Sequence, residues 1–183
     1  MPVSEETYER VALEDDETRW ELVCGRLVAK PPMTTEHEDV SRTLLHFLGS
    51  QVSWAEYSVG QESPKLRVQS GNYRIPDVCV IPRDLIRRRK REMPARLEVY
   101  EEPMPLVVGV WSPSTGDVDR TDKLREYQER GDLEIWHIEP YQRTLTVWCR
   151  RPDGAYAETH YTRGAVEVAS LPGVVIDLGA LFD

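Results

Sequence analysis

The chain has 183 residues, of which 23 are Lys or Arg and 32 are Asp or Glu, giving a formal net charge of −9. With 40% hydrophobic and 30% charged residues it is close to average globular composition, which argues against a disordered or fibrous chain. We expect a single domain over residues 1–183, because this length is sufficient for one hydrophobic core.

The composition also argues against several classes of protein. The longest nearly apolar runs, residues 106–111 and 174–181, are far shorter than the roughly 20 residues that span a bilayer. The first residues lack the features of a secretory signal, so we expect a cytoplasmic protein without a membrane span. Three cysteines (Cys24, Cys79 and Cys149) without a Cys-x-x-Cys pair make a disulfide framework or a structural zinc site unexpected.

Charge is unevenly distributed along the chain. The acidic net charge argues against non-specific coating of nucleic acid, since phosphate neutralisation needs a basic surface. A local basic run is nevertheless a weak candidate for nucleic-acid binding, although such runs are more often solvated surface. It consists of Arg87, Arg88, Arg89, Lys90 and Arg91.

Apolar spacing and turn residues predict an alternation of helices and strands. Helices are predicted at residues 4–13, at about 35–54, and from a break at 112–115, which can cap the helix, to about 130. A hairpin is predicted at residues 20–28, and strands at 57–61, 66–69, 78–81, 106–111, 133–138, 144–148 and 156–161. The basic run and residues 93–105 are predicted to form a segment on the protein surface, and a short element is predicted near 178–182. This order predicts an α/β sandwich on a mixed sheet.

Two residues in the middle of the chain carry possible chemistry. Asp77 follows Pro76 at a strand entrance, where a carboxylate could hold Mg²⁺. Lys123, on the helix after the buried strand, could orient the attacking water or offset charge on a phosphate. Taken alone, Asp77 is more typical of a turn or capping residue, and Lys123 is more typical of a solvated side chain.

The joint order of several motifs closely resembles the Uma2 family. The motifs cover about residues 17–150. They are Trp-Glu-Leu-Val-Cys-Gly-Arg-Leu-Val at 20–28, His37, Ile-Pro-Asp-Val at 75–78, Leu-Val-Val-Gly-Val-Trp-Ser-Pro-Ser-Thr at 106–115, Asp-Arg-Thr-Asp-Lys at 119–123, Tyr127, and Glu-Ile-Trp at 134–136 before Pro140.

The resemblance implies a restriction-endonuclease-like mixed sheet flanked by helices, of the PD-(D/E)xK type, with an N-terminal helix and hairpin. It implies an endonuclease that hydrolyses DNA with Mg²⁺ or Mn²⁺, in which Asp77 binds the metal, Lys123 is catalytic and Glu21 supports the site. His37 and Tyr127 would border the site, although packing is the more common role of such residues. A two-fold homodimer is plausible, since cleavage of both strands usually needs two sites.

The sequence departs from the family pattern at one metal ligand. The strand glutamate expected at position 109 is Gly109. Strand alternation places Gly109 on one face with Val107 and Trp111, and Asp77 on one face with Cys79 and Ile81. Either the ligand has been lost, which we favour, or another group approaches the backbone closely there.

Loss of the ligand predicts weak metal binding and impaired or absent nuclease activity, which Gly109→Glu would restore. The alternative function is a catalytically degenerate module that binds DNA or a protein partner. Another phosphate-containing substrate also fits, because fold alone does not determine function.

Overall fold

The computed structural model describes residues 2–113 and 116–183, without the side chains of residues 116–119. Its helices are α1 (Glu5–Glu14), α2 (Thr35–Gln51), α3 (Arg83–Glu92), α4 (Gly116–Arg130) and α5 (Leu178–Leu181). Its strands are β1 (Trp20–Val23), β2 (Arg26–Ala29), β3 (Tyr57–Gln61), β4 (Lys65–Arg67), β5 (Tyr73–Arg74), β6 (Val78–Pro82), β7 (Val99–Tyr100), β8 (Leu106–Val110), β9 (Glu134–Glu139), β10 (Thr144–Arg150), β11 (Tyr156–Tyr161), β12 (Ala165–Glu167) and β13 (Val175–Asp177). Ser114 and Thr115 of the predicted capping segment lie outside the described residues.

A six-stranded mixed sheet forms the centre of the fold, in the order β11-β10-β9-β8-β6-β3. Strands β8 and β9 are parallel, with α4 as the crossover between them, and the other neighbours are antiparallel. A second sheet has the order β2-β1-β5-β4-β7, and β12 pairs with β13. The predicted mixed α/β class, with its N-terminal helix and hairpin, is confirmed.

The two faces of the central sheet are covered by different helices. Alternate residues of β6 and β8, such as Val80 and Val108, pack against Leu44 and other apolar residues of α2. The residues between them, including Cys79 and Val107, lie in a second cluster with Tyr127 of α4. The face on which the alternation places Asp77 and Gly109 is therefore the face covered by α4.

The N-terminal hairpin joins the second sheet through β1, which pairs with β5. Its two-residue loop has both residues at positive φ, 50° for Cys24 and 71° for Gly25, as in the type I′ turn of tight hairpins. Helix α1 packs on this sheet through Tyr8, whose hydroxyl donates a hydrogen bond of 2.8 Å to the Trp20 carbonyl.

The basic run, predicted only as part of a surface segment, forms most of α3, a helix without a buried residue. Leu85 and Ile86 of this helix pack against the cluster that contains Cys79. Two apolar residues in a stretch otherwise dominated by Arg and Lys give little helical periodicity, so the pattern did not indicate a helix. Strands β5, β7, β12 and β13 were also not predicted, and each has two or three residues.

No helix in the described part of the chain is both long enough and apolar enough to cross a membrane.

Candidate functional site

Asp77 lies directly before β6 and beside β8. Its backbone N–H donates to the Val108 carbonyl over 3.0 Å, and Val78 pairs with Val108 in the antiparallel register. One further step in this register places Asp77 opposite Gly109. Side chains at opposed positions of neighbouring strands lie on one face, so a longer side chain at 109 would project beside the Asp77 carboxylate.

Three groups contact the Asp77 carboxylate, which is in a residue only 7% exposed. The Lys30 ammonium donates to Oδ1 over 2.6 Å, and the Val110 backbone N–H donates to Oδ2 over 2.6 Å. His37 Nε2 lies 3.2 Å from Oδ1. Thr34 caps α2 by accepting from the His37 N–H, which fixes the first turn of the helix so that the His37 ring reaches Asp77.

Lys30 reaches the site from the end of the hairpin, one residue after β2. Its side chain is 5% exposed, and its ammonium also donates to Glu62 Oε1 over 2.9 Å. The other Glu62 oxygen lies 3.2 Å from Arg19 Nε. The ammonium is thus held between two carboxylates, Asp77 and Glu62.

The protonation states of Asp77 and Lys30 depend on their burial and on the charges around them. Burial raises the pKa of Asp77, but the Lys30 ammonium and the His37 ring lower it more, so the pKa lies well below its usual range. Burial lowers the pKa of Lys30, whereas the Asp77 and Glu62 charges raise it, with a net rise. Both groups are therefore charged at neutral pH.

Glu21 forms a second buried cluster beside α4. Its Oε1 accepts from the Ile75 N–H over 2.9 Å and lies 3.1 Å from Lys123 Nζ, and its Oε2 accepts from Arg74 over 3.2 Å. Arg74 also donates to Glu126 of α4 over 2.6 Å. Burial raises the pKa of Glu21, but Lys123, the Ile75 N–H and Arg74 lower it more, so Glu21 is ionised.

A pocket between the central sheet and α4 brings several predicted residues together. Asp77, Gly109, Lys123 and Tyr127 line it, while Glu21 and His37 adjoin it through their contacts with Lys123 and Asp77. Its volume of about 60 Å³ leaves room for more than one water molecule. Its other lining residues are Lys30, Ile75, Pro76, Val110, Trp111, Arg120, Leu124, Ile135, Trp136, His137 and Trp148.

Gly109 opens toward space rather than toward a packed group. A Cβ atom at this position would meet no other heavy atom within 4 Å, and its φ is not positive. No close approach of backbone or side chain therefore requires glycine here. Close approach by the protein's own atoms therefore does not explain the glycine, and loss of a side chain stays the favoured explanation.

The basic run lies away from this pocket, since none of its five residues is among the described lining residues. Arg88 contacts Glu102 and Glu92, and Arg89 donates to the Leu97 carbonyl over 2.7 Å. A cleft beside Arg88 and Arg89 is also lined by α1 carboxylates such as Glu9. Neighbouring carboxylates thus offset part of the positive charge of α3.

A family model described as "Putative restriction endonuclease", Uma2, matches residues 5–179. The chain belongs to the Uma2 family. No curated protein shows significant similarity to this Uma2 chain.

A solved structure shares the Uma2 fold at low sequence identity. It is the crystal structure of "a putative nuclease belonging to DUF820" from Anabaena variabilis ATCC 29413, which is 18% identical over 99% of this chain and 98% of that one, with a TM-score of 0.75. This likeness shows a shared fold, and it agrees with the mixed α/β class and the N-terminal helix and hairpin predicted from the motifs.

Restriction-endonuclease-like families generally use divalent metals, but the described residues of this Uma2 chain do not fit one. No group of three or more His, Cys, Asp or Glu side chains in the described part of the chain is arranged to hold an ion. Both Asp77 oxygens already have donors, and so do both Glu21 oxygens. An ammonium, rather than open space, adjoins Asp77 Oδ1.

Sequence reasoning missed four charged residues of this Uma2 site, namely Lys30, Glu62, Arg74 and Glu126. Each contributes through a partner more than 30 positions away, as in the Lys30–Asp77 and Arg74–Glu126 pairs. Arg74, directly before the Ile-Pro-Asp-Val motif at 75–78, carried the best available signal. Lys30 precedes two prolines and matches no catalytic pattern.

Proposed function

We propose that this chain is a nuclease-family domain that engages DNA and whose metal-dependent phosphodiester hydrolysis is impaired or absent. The family and the fold of the Anabaena variabilis protein support a nuclease-like module. The observation that carries the proposed impairment is Gly109, opposite Asp77 and open to the pocket. It leaves Asp77 as the only carboxylate among the described lining residues.

The remaining side chains favour binding of a phosphate over its hydrolysis. Lys123 and Arg120 line the pocket with two cationic groups, beside Lys30, whose ammonium is already held by Asp77 and Glu62. Phosphate oxygens accept strong, charge-assisted hydrogen bonds from such groups. With Asp77 and Glu21 already bonded to internal donors, neither is placed to take a proton from an attacking water without breaking these contacts.

Nicking of supercoiled plasmid in Mg²⁺ or Mn²⁺ tests the impairment. We expect the chain to nick no faster than its Asp77→Ala variant, which serves as the background. Nicking by the chain that Asp77→Ala abolishes would overturn the proposal. Nicking by Gly109→Glu, abolished when Asp77→Ala is added, would attribute the loss to position 109 alone.

DNA association is tested separately by its salt dependence. Phosphate-driven binding weakens steeply as salt rises, with a slope that reports the number of phosphates contacted. We expect Lys123→Gln to reduce that slope, and the triple change Arg87→Gln, Lys90→Gln and Arg91→Gln to show whether α3 contributes. The matched control is Arg163→Gln, which removes an exposed charge outside the pocket and α3.

A protein partner is the second candidate. The carboxylates around α3 and the net charge of −9 favour it over tight DNA binding. A salt-insensitive association with DNA, or none, would support this candidate. We also propose a two-fold homodimer for the DNA-binding form, which light scattering of the free chain and of its DNA complex would test.

A further inference from the structure

On the side that faces the hairpin, the Asp77 carboxylate is in contact with another side chain of the protein, Lys30. Lys30 Nζ lies 2.6 Å from Asp77 Oδ1 and 2.9 Å from Glu62 Oε1. With its side chain 5% exposed, it has little access to solvent as an alternative partner. A cation is therefore already present at the carboxylate that the family resemblance makes the metal ligand.

We propose that Lys30 is a fixed internal cation that excludes divalent metal from Asp77, so that restoring a carboxylate at position 109 does not by itself restore a metal site. This assigns a second cause of impairment, independent of Gly109. It rests on the proposed function in one respect, namely that Asp77 is the residue a metal would bind.

Electrostatics make the ammonium and a metal mutually exclusive. A divalent ion bound to Asp77 would lie beside a buried ammonium, and like charges at such distances repel strongly where solvent screening is weak. The Lys30 ammonium would have to leave, which would strip Glu62 as well as Asp77 of a hydrogen bond. Breaking buried ion pairs in this way is unfavourable because the charges left behind have no compensation.

The backbone also limits how far Lys30 can move. Its N–H donates to the Arg19 carbonyl over 2.8 Å, which extends the hairpin pairing by one residue. Pro31 and Pro32 follow, and a residue before proline is restricted to extended conformations. The side chain therefore projects from a constrained position toward the two carboxylates.

Two further groups lie against the Asp77 carboxylate. The Val110 N–H donates to Oδ2 over 2.6 Å, and His37 Nε2 lies 3.2 Å from Oδ1. A carboxylate offers about four lone-pair sites, of which three face Lys30 and these two groups. Removal of Lys30 frees the one site that is next to a second carboxylate, Glu62.

Calorimetric titration with Mn²⁺, in the absence of DNA, tests the proposal on four proteins. They are the chain itself, Gly109→Glu, Lys30→Met, and the double variant Lys30→Met/Gly109→Glu. We expect Gly109→Glu to bind Mn²⁺ no more than threefold tighter than the chain, and the double variant to bind at least tenfold tighter than Gly109→Glu. Lys30→Met/Gly109→Gln is the matched control, because glutamine has nearly the size of glutamate without its charge.

Two results with folded variants would overturn the inference, and one result with unfolded variants would do the same. The first is that Gly109→Glu, which retains Lys30, binds Mn²⁺ as tightly as the double variant, which lacks Lys30. The other is a folded Lys30→Met that gains no affinity with or without Gly109→Glu. If Lys30→Met is unfolded without metal, Lys30→Gln replaces it, and refolding driven by Mn²⁺ becomes the expected result. Failure of both variants to refold at any Mn²⁺ concentration would also overturn it.

The inference about Lys30 and the proposed function can be contradicted independently of each other. Plasmid nicking by the unaltered chain would contradict the proposed impairment. The role of Lys30 would still be tested by comparing the Mn²⁺ affinities of the variants. Conversely, Gly109→Glu that binds Mn²⁺ tightly and nicks DNA would support the loss at position 109 and reject the role of Lys30.

Discussion

The Lys30 ammonium and the Asp77 carboxylate meet over 2.6 Å although 47 positions separate them in the sequence. Because Lys30 also neutralises Glu62, its removal leaves two buried carboxylates without their shared cation. We expect Lys30→Met to lower the free energy of unfolding by about 3–5 kcal/mol, measured by urea denaturation at pH 7. Lys90→Met, at an exposed position of α3, should change it by less than about 0.5 kcal/mol. A loss for Lys30→Met as small as that for Lys90→Met would contradict a buried ion pair.

The low pKa of Asp77 predicts how stability depends on pH. A carboxyl group whose folded-state pKa lies below its ordinary value of 3.8 stabilises the fold above that value, and this contribution is lost as the pH falls through the folded-state pKa. We expect Asp77→Asn to be less stable than the chain by on the order of 2 kcal/mol at pH 7. The difference should persist to about pH 5 and narrow below about pH 4.

Urea denaturation of Asp77→Asn and the unaltered chain between pH 7 and pH 3 measures this difference. The exposed Asp16→Asn is the control for loss of one carboxylate from the total charge. A difference as large at pH 3 as at pH 7 would contradict the assigned direction of the shift.

The buried Tyr127 hydroxyl has no hydrogen-bond partner in the described part of the structure. A buried hydroxyl without a partner contributes no hydrogen-bond energy but has lost its hydration. We expect Tyr127→Phe to leave thermal stability unchanged or to raise it by up to about 1 kcal/mol. Tyr8→Phe, which removes the bond to the Trp20 carbonyl, should cost about 1 kcal/mol. Equal losses in calorimetric unfolding of the two variants would show that Tyr127 is bonded.

Gly109 should tolerate a side chain better than most glycines of this chain. A Cβ atom there meets nothing within 4 Å, and alanine in a strand is favoured over glycine, so Gly109→Ala should stabilise the fold by about 0.5–1 kcal/mol. Gly25→Ala is the contrasting variant, because φ there is +71° and the new Cβ would lie 2.5 Å from the Pro2 Cβ. We expect it to destabilise the fold by more than about 1 kcal/mol in the same urea measurement. Destabilisation by Gly109→Ala would show that the space is not available.

The fold class was predictable because the central strands carry strong local signals. Strand β8 is a continuous apolar run, and the apolar stripe of α2 recurs at helical spacing. Helix α3 was not predictable, since only Leu85 and Ile86 of its ten residues pack against the core. Its conformation depends on tertiary contacts that local periodicity does not record.

The motifs indicated several residues that the fold brings to one pocket, but not the contacts between these residues and the rest of the chain. The motif order indicated Asp77, Lys123 and Glu21, yet gave no sign that Lys30 binds Asp77. Long-range ion pairs depend on how two sheets and a helix meet, and no spacing along the chain encodes that arrangement. The missing glutamate could be read directly, whereas the cation beside Asp77 required three-dimensional structure.

The bonds of Glu21 have a consequence for how the pocket opens. Its carboxylate accepts from the segment after β5 and lies against Lys123 of α4, while Arg74 extends the connection to Glu126. A hinge motion of the hairpin away from α4 would separate several buried charges at once, so this side of the pocket acts as a rigid wall. Arg120, by contrast, is an exposed lining residue of the pocket, and its side chain can change rotamer within nanoseconds without separating buried charges.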